Sequence, residues 1–141
     1  MKKHTHRRRI EAKAPMLVVM QSVPELSLTE RMSVEAYSGG WATTDHFDDL
    51  ADCRDLLTLA ASDRDDKQVL AVCDLAMVAL LSIKARYEKT KRMGASGEEL
   101  KALRALVETS EDFWKRQSGG LFETHYHSLR RQRAMSKRSA A

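Results

Sequence analysis

From Ser27 onward, apolar residues recur every three or four positions, the spacing of one face of an α-helix. Ser27 and Glu30 fit the S-x-x-E capping box that opens a helix, and Leu28, Met32 and Ala36 share a face until Gly39 and Gly40 stop it. Thr44 or Asp45 can cap a second helix, with Phe47, Leu50, Leu57 and Ala61 on one side and Asp45, Asp48, Asp52 and Asp55 on the other. A third helix is predicted from about Asp66 to Arg92. It carries Leu70, Cys73, Met77, Leu80, Lys84 and Tyr87, with a second stripe at Val69, Val72, Ala76 and Ile83, and Gly94 is its stop. So broad an apolar face implies a central helix packed by several neighbours. Ser96 and Glu99 form a second capping box, followed by Leu100, Leu103, Leu106, Val107, Phe113 and Trp114 up to Gly119 and Gly120. Leu121, Phe122, Tyr126 and Leu129 then predict a short fifth helix that frays from about Arg133. The run from Pro15 to Val23 is too short to separate strand from helix by period, and helix is preferred because nothing else offers a strand partner. No window alternates apolar and polar residues, so the expected class is all-α, a compact bundle of four to five helices.

Charge divides the chain more sharply than hydropathy does. The net charge of the 141 residues is +4, yet residues 1–14 hold six bases and one acid, and residues 130–141 hold five bases and no acid. The 115 residues between them have thirteen bases and nineteen acids. The expected organisation is a mobile basic arm over 1–14, a single acidic helical domain over 15–129 and a basic tail over 130–141, both arms disordered. A content of 43% hydrophobic residues excludes a wholly disordered chain. Cys53 and Cys73 make no C-x-x-C pair, which argues against a disulfide framework or a zinc ribbon and for core thiols in a reducing cytoplasm. The apolar run Met16 to Met20 is too short for a signal peptide. No uninterrupted run approaches eighteen apolar residues, so no membrane span is expected.

The chemistry these residues can support is mostly electrostatic. Lys2, Lys3, Arg7, Arg8 and Arg9 at one end, and Arg130, Arg131, Arg133, Lys137 and Arg138 at the other, are suited to phosphate backbones, where neutralisation releases condensed counterions. His125, Tyr126 and His127 beside them add rings for base stacking. The competing expectations are a solvated tail, a tail folded back on the acidic body, and an acidic protein or lipid surface as the target. The acidic stripe of Asp45, Asp48, Asp52 and Asp55 could in turn dock a basic protein. Asp48, Asp49 and Asp52 satisfy D-D-x-x-D, a pattern that can hold magnesium, but no second acidic motif faces it. His4 with His6, and His125 with His127, are H-x-H pairs whose members diverge on a helix, and His46 is expected as an exposed residue at a helix start. Trp41 reads as a lid over the bundle end or an exposed anchor. Neither phosphate-binding loops nor nucleophile motifs occur, so no enzyme and no cofactor are expected, and a magnesium-dependent phosphohydrolase on Asp48, Asp49 and Asp52 is the residual catalytic reading.

The opening MKKHTHRRR, the stretch GGWATTDHFDDLADCRDLL and the stretch KTKRMGASGEELKALRAL resemble a set of small accessory proteins of bacterial prophages and plasmids. The resemblance implies a mobile-element accessory factor inside a bacterial host, and it transfers no functional residues. Together with the basic ends, it gives the leading expectation of a non-enzymatic, nucleic-acid-binding accessory or regulatory protein. A helical interaction module whose acidic face over 45–66 binds a basic host protein is the alternative.

Overall fold

The computed structural model describes residues 27–117 and the helix over 119–140, the latter with side chains over 124–136. Within these residues lie α1 (27–39), α2 (Thr44–Asp63), α3 (Lys67–Thr90), α4 (Gly97–Lys115) and α5 (Gly119–Ala140). No strand occurs among the described residues, and the all-α bundle expected from the period is what forms. The helix expected over Pro15–Val23 and the arm over 1–14 fall outside them.

α2 and α3 run against each other, and α4 packs on α3. Ala60, Ala61 and Ala76 are completely buried, so the α2 and α3 backbones can approach closely, and Leu57, Leu106 and Phe113 fill the space around them. A second cluster joins α1 through α4, with Val34, Tyr37, Leu50, Leu80, Ile83 and Leu103. α5 is held on α2 by Leu129 against Leu56, with Leu59, Trp114 and Tyr126 around them.

Several ends form as expected. Ser96 caps α4: the Glu99 N–H donates to its Oγ at 3.3 Å, and its own N–H donates to Glu99 Oε1 at 2.8 Å. The same Glu99 receives both Arg86 amino groups, at 2.9 and 2.7 Å, which ties the end of α3 to the start of α4. Asp66 caps α3 by accepting from Val69 N–H at 3.2 Å.

Other ends differ. The cap of α2 is Thr43, one residue ahead of the expected Thr44, and its N–H donates to His46 Nδ1 at 2.9 Å. His46 is accordingly half-buried, with its ring edge-on to Trp41 at 5.3 Å. Trp41 is 55% exposed and lies against Gly39, where a Cβ would sit 2.5 Å from the indole Nε1. α3 stops at Thr90, four residues before the expected glycine, because Lys91 adopts the left-handed conformation at φ 59° and donates to the Tyr87 carbonyl at 2.7 Å.

The apolar face expected for α1 is also corrected. Leu28 and Met32 are exposed, and the buried side carries Glu30, Ser33, Val34, Ala36 and Tyr37. The Ser27 hydroxyl, expected at the helix start with Glu30, donates to Glu111 Oε1 of α4 at 2.6 Å.

α3 is central, but on one side only. By length and composition it is apolar enough to cross a membrane, a property missed by counting uninterrupted apolar residues, because Asp74 and Ser82 interrupt the run. In the bundle, Val69, Cys73, Ala76, Ala79, Leu80 and Ile83 face the interior, while Leu75, Val78 and Leu81 are exposed.

Candidate nucleic-acid interface

α5 places most of the described candidate side chains. Its helix runs to Ala140 and so does not end near Arg133, where fraying was expected. Among its described side chains Leu129 is the last that is buried, and every residue from Arg130 to Ser136 is exposed. The segment from Arg130 to Ser136 therefore lies at the surface of the bundle as a basic helix. Helical register returns positions 133, 137 and 138 to the side that carries 130 and 131.

The basic residues of this helix are not equivalent. Arg130 and Arg131 are exposed, and the Arg130 guanidinium lies over the Tyr126 ring, 5.8 Å from its centroid. Arg133 instead reaches back to α2. It pairs with Asp52 through Nη1, and its Nη2 donates to Asp55 Oδ2 at 3.2 Å. These two carboxylates raise its already high pKa against the opposing effect of its partial burial. Arg133, expected among the phosphate contacts, is thus bound to the protein's own acidic helix. Lys2, Lys3, Arg7, Arg8 and Arg9 lie outside the described residues, as do the side chains of Lys137 and Arg138.

The acidic stripe divides in the same way. Asp45 and Asp48 are exposed, whereas Asp52 and Asp55 receive Arg133, and Asp55 also accepts from Arg54 Nη1 at 3.1 Å. Asp49 is half-buried, accepts from Ser33 Oγ at 3.4 Å, and is shifted upward chiefly by desolvation. Asp48 is thus exposed while Asp49 and Asp52 share the wall of one cleft, and the three do not converge on one cation. Among the described residues, no group of His, Cys, Asp and Glu is placed to hold a metal. His125 is buried, with Nε2 3.2 Å from Asp63 Oδ2 but without hydrogen-bond geometry, while His127 is exposed.

Between α1, α2 and α5 lies a cleft of about 560 Å³, walled by Glu30, Asp49 and Asp52 on one side and Tyr126, Arg130 and Arg133 on the other. Glu30 is the group that sequence patterning missed. It is 8% exposed, and desolvation pushes its carboxyl from 4.5 up to about 7, against the lowering effect of a hydrogen bond with Cys53. Glu111 and Asp49 add like charge nearby and push the same way. The signal was present: Glu30 shares the i, i+4, i+7 face of Val34 and Tyr37. Cys53 touches Glu30 and Ser110, and its burial holds the thiol far above the range in which a nucleophilic thiolate forms. Cys53 and Cys73 are both buried and free, as expected of core thiols.

The guanidinium-rich helix with its stacked tyrosine is chemically suited to phosphate and ring recognition, and the cleft beneath it to a small polar group. No protein-family model, curated protein or solved structure matches the chain.

Proposed function

We propose that this protein is a non-enzymatic nucleic-acid-binding accessory or regulatory factor of a bacterial mobile element, acting in the cytoplasm. The observation that carries this reading is the exposure of α5 from Arg130 to Ser136, with Arg130 and Arg131 on a helix already formed. A preformed basic helix loses less conformational entropy on meeting phosphates than a coil tail does. The basic residues of 1–14 would add further charge. Contacts of this kind supply affinity and position more than sequence readout, so the expected mode is broad in sequence and steep in salt.

Fluorescence anisotropy with a labelled duplex DNA and a single-stranded RNA, across a salt series, tests it. Binding should weaken steeply with salt, and Arg130→Ala with Arg131→Ala should reduce the log–log slope by about one per lost phosphate contact. A slope near zero, or no binding at low salt, rejects the proposal.

A second reading is supported by the hold of Asp52 and Asp55 on Arg133: the acidic face of α2 already accepts a guanidinium, as it would from a basic partner protein. Under that reading, removal of 1–14 and 130–141 leaves function intact, and reversing Asp48, Asp52 and Asp55 to lysine abolishes it.

A further inference from the structure

The cleft of about 560 Å³ between α1, α2 and α5 falls in the size range of pockets that enclose small organic ligands, roughly 300–1,000 Å³. Its lining is of two kinds. Leu56 of α2 packs with Leu129 and Tyr126 of α5, which gives the cleft an apolar part and one aromatic ring. Glu30 of α1, 8% exposed, brings a carboxyl to the same hollow.

Charge restricts what such a cleft can hold. An organic anion would meet Glu30, Asp49 and Asp52, and an organic cation would meet Arg130 and Arg133. Asp52 is already paired with Arg133, and burial pushes the carboxyls of Glu30 and Asp49 toward their neutral forms. A neutral carboxyl sets an O–H donor beside a carbonyl acceptor, and its match is an uncharged group with an acceptor beside a donor. A flat group of that kind can also stack on the Tyr126 ring, or on the Arg130 guanidinium that lies 5.8 Å from the ring centroid. Nucleobases have such edges and stack on both kinds of plane.

Arg130 belongs both to this cleft and to the exposed basic segment of α5. A phosphate held by Arg130 therefore stands at the edge of the cleft, where the base attached to it can enter.

We propose that the cleft is a binding site for one nucleobase, stacked at Tyr126 and paired through its donor–acceptor edge with the Glu30 carboxyl, its phosphate on Arg130. The base belongs either to a free nucleotide or to an unpaired position of a strand, because a base within a duplex has its edge and faces already engaged. The strand form rests on the nucleic-acid reading of α5. The nucleoside form does not, so the two can fail separately.

Nitrogen-15 HSQC titration of the full chain at pH 6 tests it, with adenosine, cytidine and uridine as probes. Each should shift the amide signals around Glu30, Cys53 and Tyr126, with dissociation constants on the order of 1 mM. AMP should bind more tightly than adenosine, and Arg130→Ala should remove the difference. Tyr126→Leu should weaken adenosine binding about tenfold, and Tyr126→Phe should keep it. Glu30→Leu should abolish binding without lowering the melting temperature at pH 8. Glu30→Gln should retain binding, because an amide also sets a donor beside an acceptor.

The base preference should turn with pH. The groups around the Glu30 carboxyl are Asp49, Asp52 and Cys53 of α2, Glu111 of α4, and Tyr126, Arg130 and Arg133 of α5. Between pH 6 and pH 8 the carboxyl passes its value of about 7 and loses its donor. Adenine, cytosine and uracil then lose one of two hydrogen bonds, whereas guanine offers two adjacent N–H donors to a carboxylate. The ratio of GMP to AMP affinity should rise several-fold over that range and stay flat in Glu30→Gln.

An oligoadenylate that binds more tightly than an abasic strand of equal length assigns the base to a strand. Equal binding of the two, with nucleosides still bound, assigns it to a free nucleotide. Cleft signals unmoved by all three nucleosides at several times the expected dissociation constant would overturn the proposal. So would ribose 5-phosphate shifting them as strongly as AMP, which leaves only a phosphate contact. Adenosine binding unchanged in both Tyr126→Leu and Glu30→Leu would put the base elsewhere, and spermidine bound in a Glu30-dependent way would give the cleft to an organic cation.

Discussion

Where α2, α3 and α4 meet, the interior is apolar and dense, with Leu57, Ala60, Ala61, Ala76, Leu106 and Phe113 at or below 1% exposure. Where α1 and α5 lie on α2, the interior holds Glu30 and Ser33 and opens into a cleft of about 560 Å³. The first region is held by burial, which pH and salt hardly alter. The second depends on a carboxyl with a shifted pKa and on Arg133 pairs that ionic strength screens. The attachment of the basic helix is thus conditional in a way that the core is not.

The difference breaks most visibly at Phe113, which is 1% exposed and edge-on to Trp114 at 5.0 Å. Phe113→Ala should cost about 3–5 kcal/mol, by lost transfer energy and the cavity left behind. Urea unfolding at pH 5 and pH 8 should show the same loss at both. A loss that varied strongly with pH would mean that the dense region is coupled to the titrating one, and the comparison would fail.

Glu30 gives the next effect. Its carboxyl titrates near 7 in the folded chain and near 4.5 when unfolded. Below pH 4.5 it is protonated in both states and carries no penalty. As pH rises from 4.5 to 7 the unfolded chain gives up its proton first, so stability falls. Above 7 the whole cost of a buried carboxylate remains, at most about 3 kcal/mol. Glu30→Gln should therefore match the unaltered protein at pH 4 and exceed it at pH 8, with a flatter profile between. An unchanged pH profile would show that Glu30 is not the titrating group.

What the sequence disclosed follows the same division between local and distant causes. The Ser96–Glu99 box was legible because both partners lie within one turn, and the core faces of α2, α3 and α4 were legible from period alone. Ser27 and Glu30 match the same local pattern, and what it could not signal is their distant contacts, Ser27 with Glu111 and Glu30 with Cys53. The end of α3 was misplaced because a lysine holds a conformation that glycine usually takes. The basic character of 130–141 was plain in composition, but its helicity was not, since a run of like charge carries no apolar period. For the same reason, the split between the exposed Arg130 and Arg131 and the paired Arg133 could only come from the docking of α5 on α2.

That split yields the smallest change in stability and the sharpest test of function. Arg133 and its partners are partly exposed, with side chains at 44%, 49% and 35%, so their pairing is worth about 1 kcal/mol or less to the fold. Asp52→Asn with Asp55→Asn should hardly move the melting temperature. It should nevertheless release a guanidinium on the side of α5 that carries Arg130, and nucleic-acid affinity at low salt should rise several-fold, with a log–log slope steeper by about one. If affinity falls instead, the two aspartates act by orienting the helix for binding. The acidic stripe would then be part of the interface and no longer its competitor.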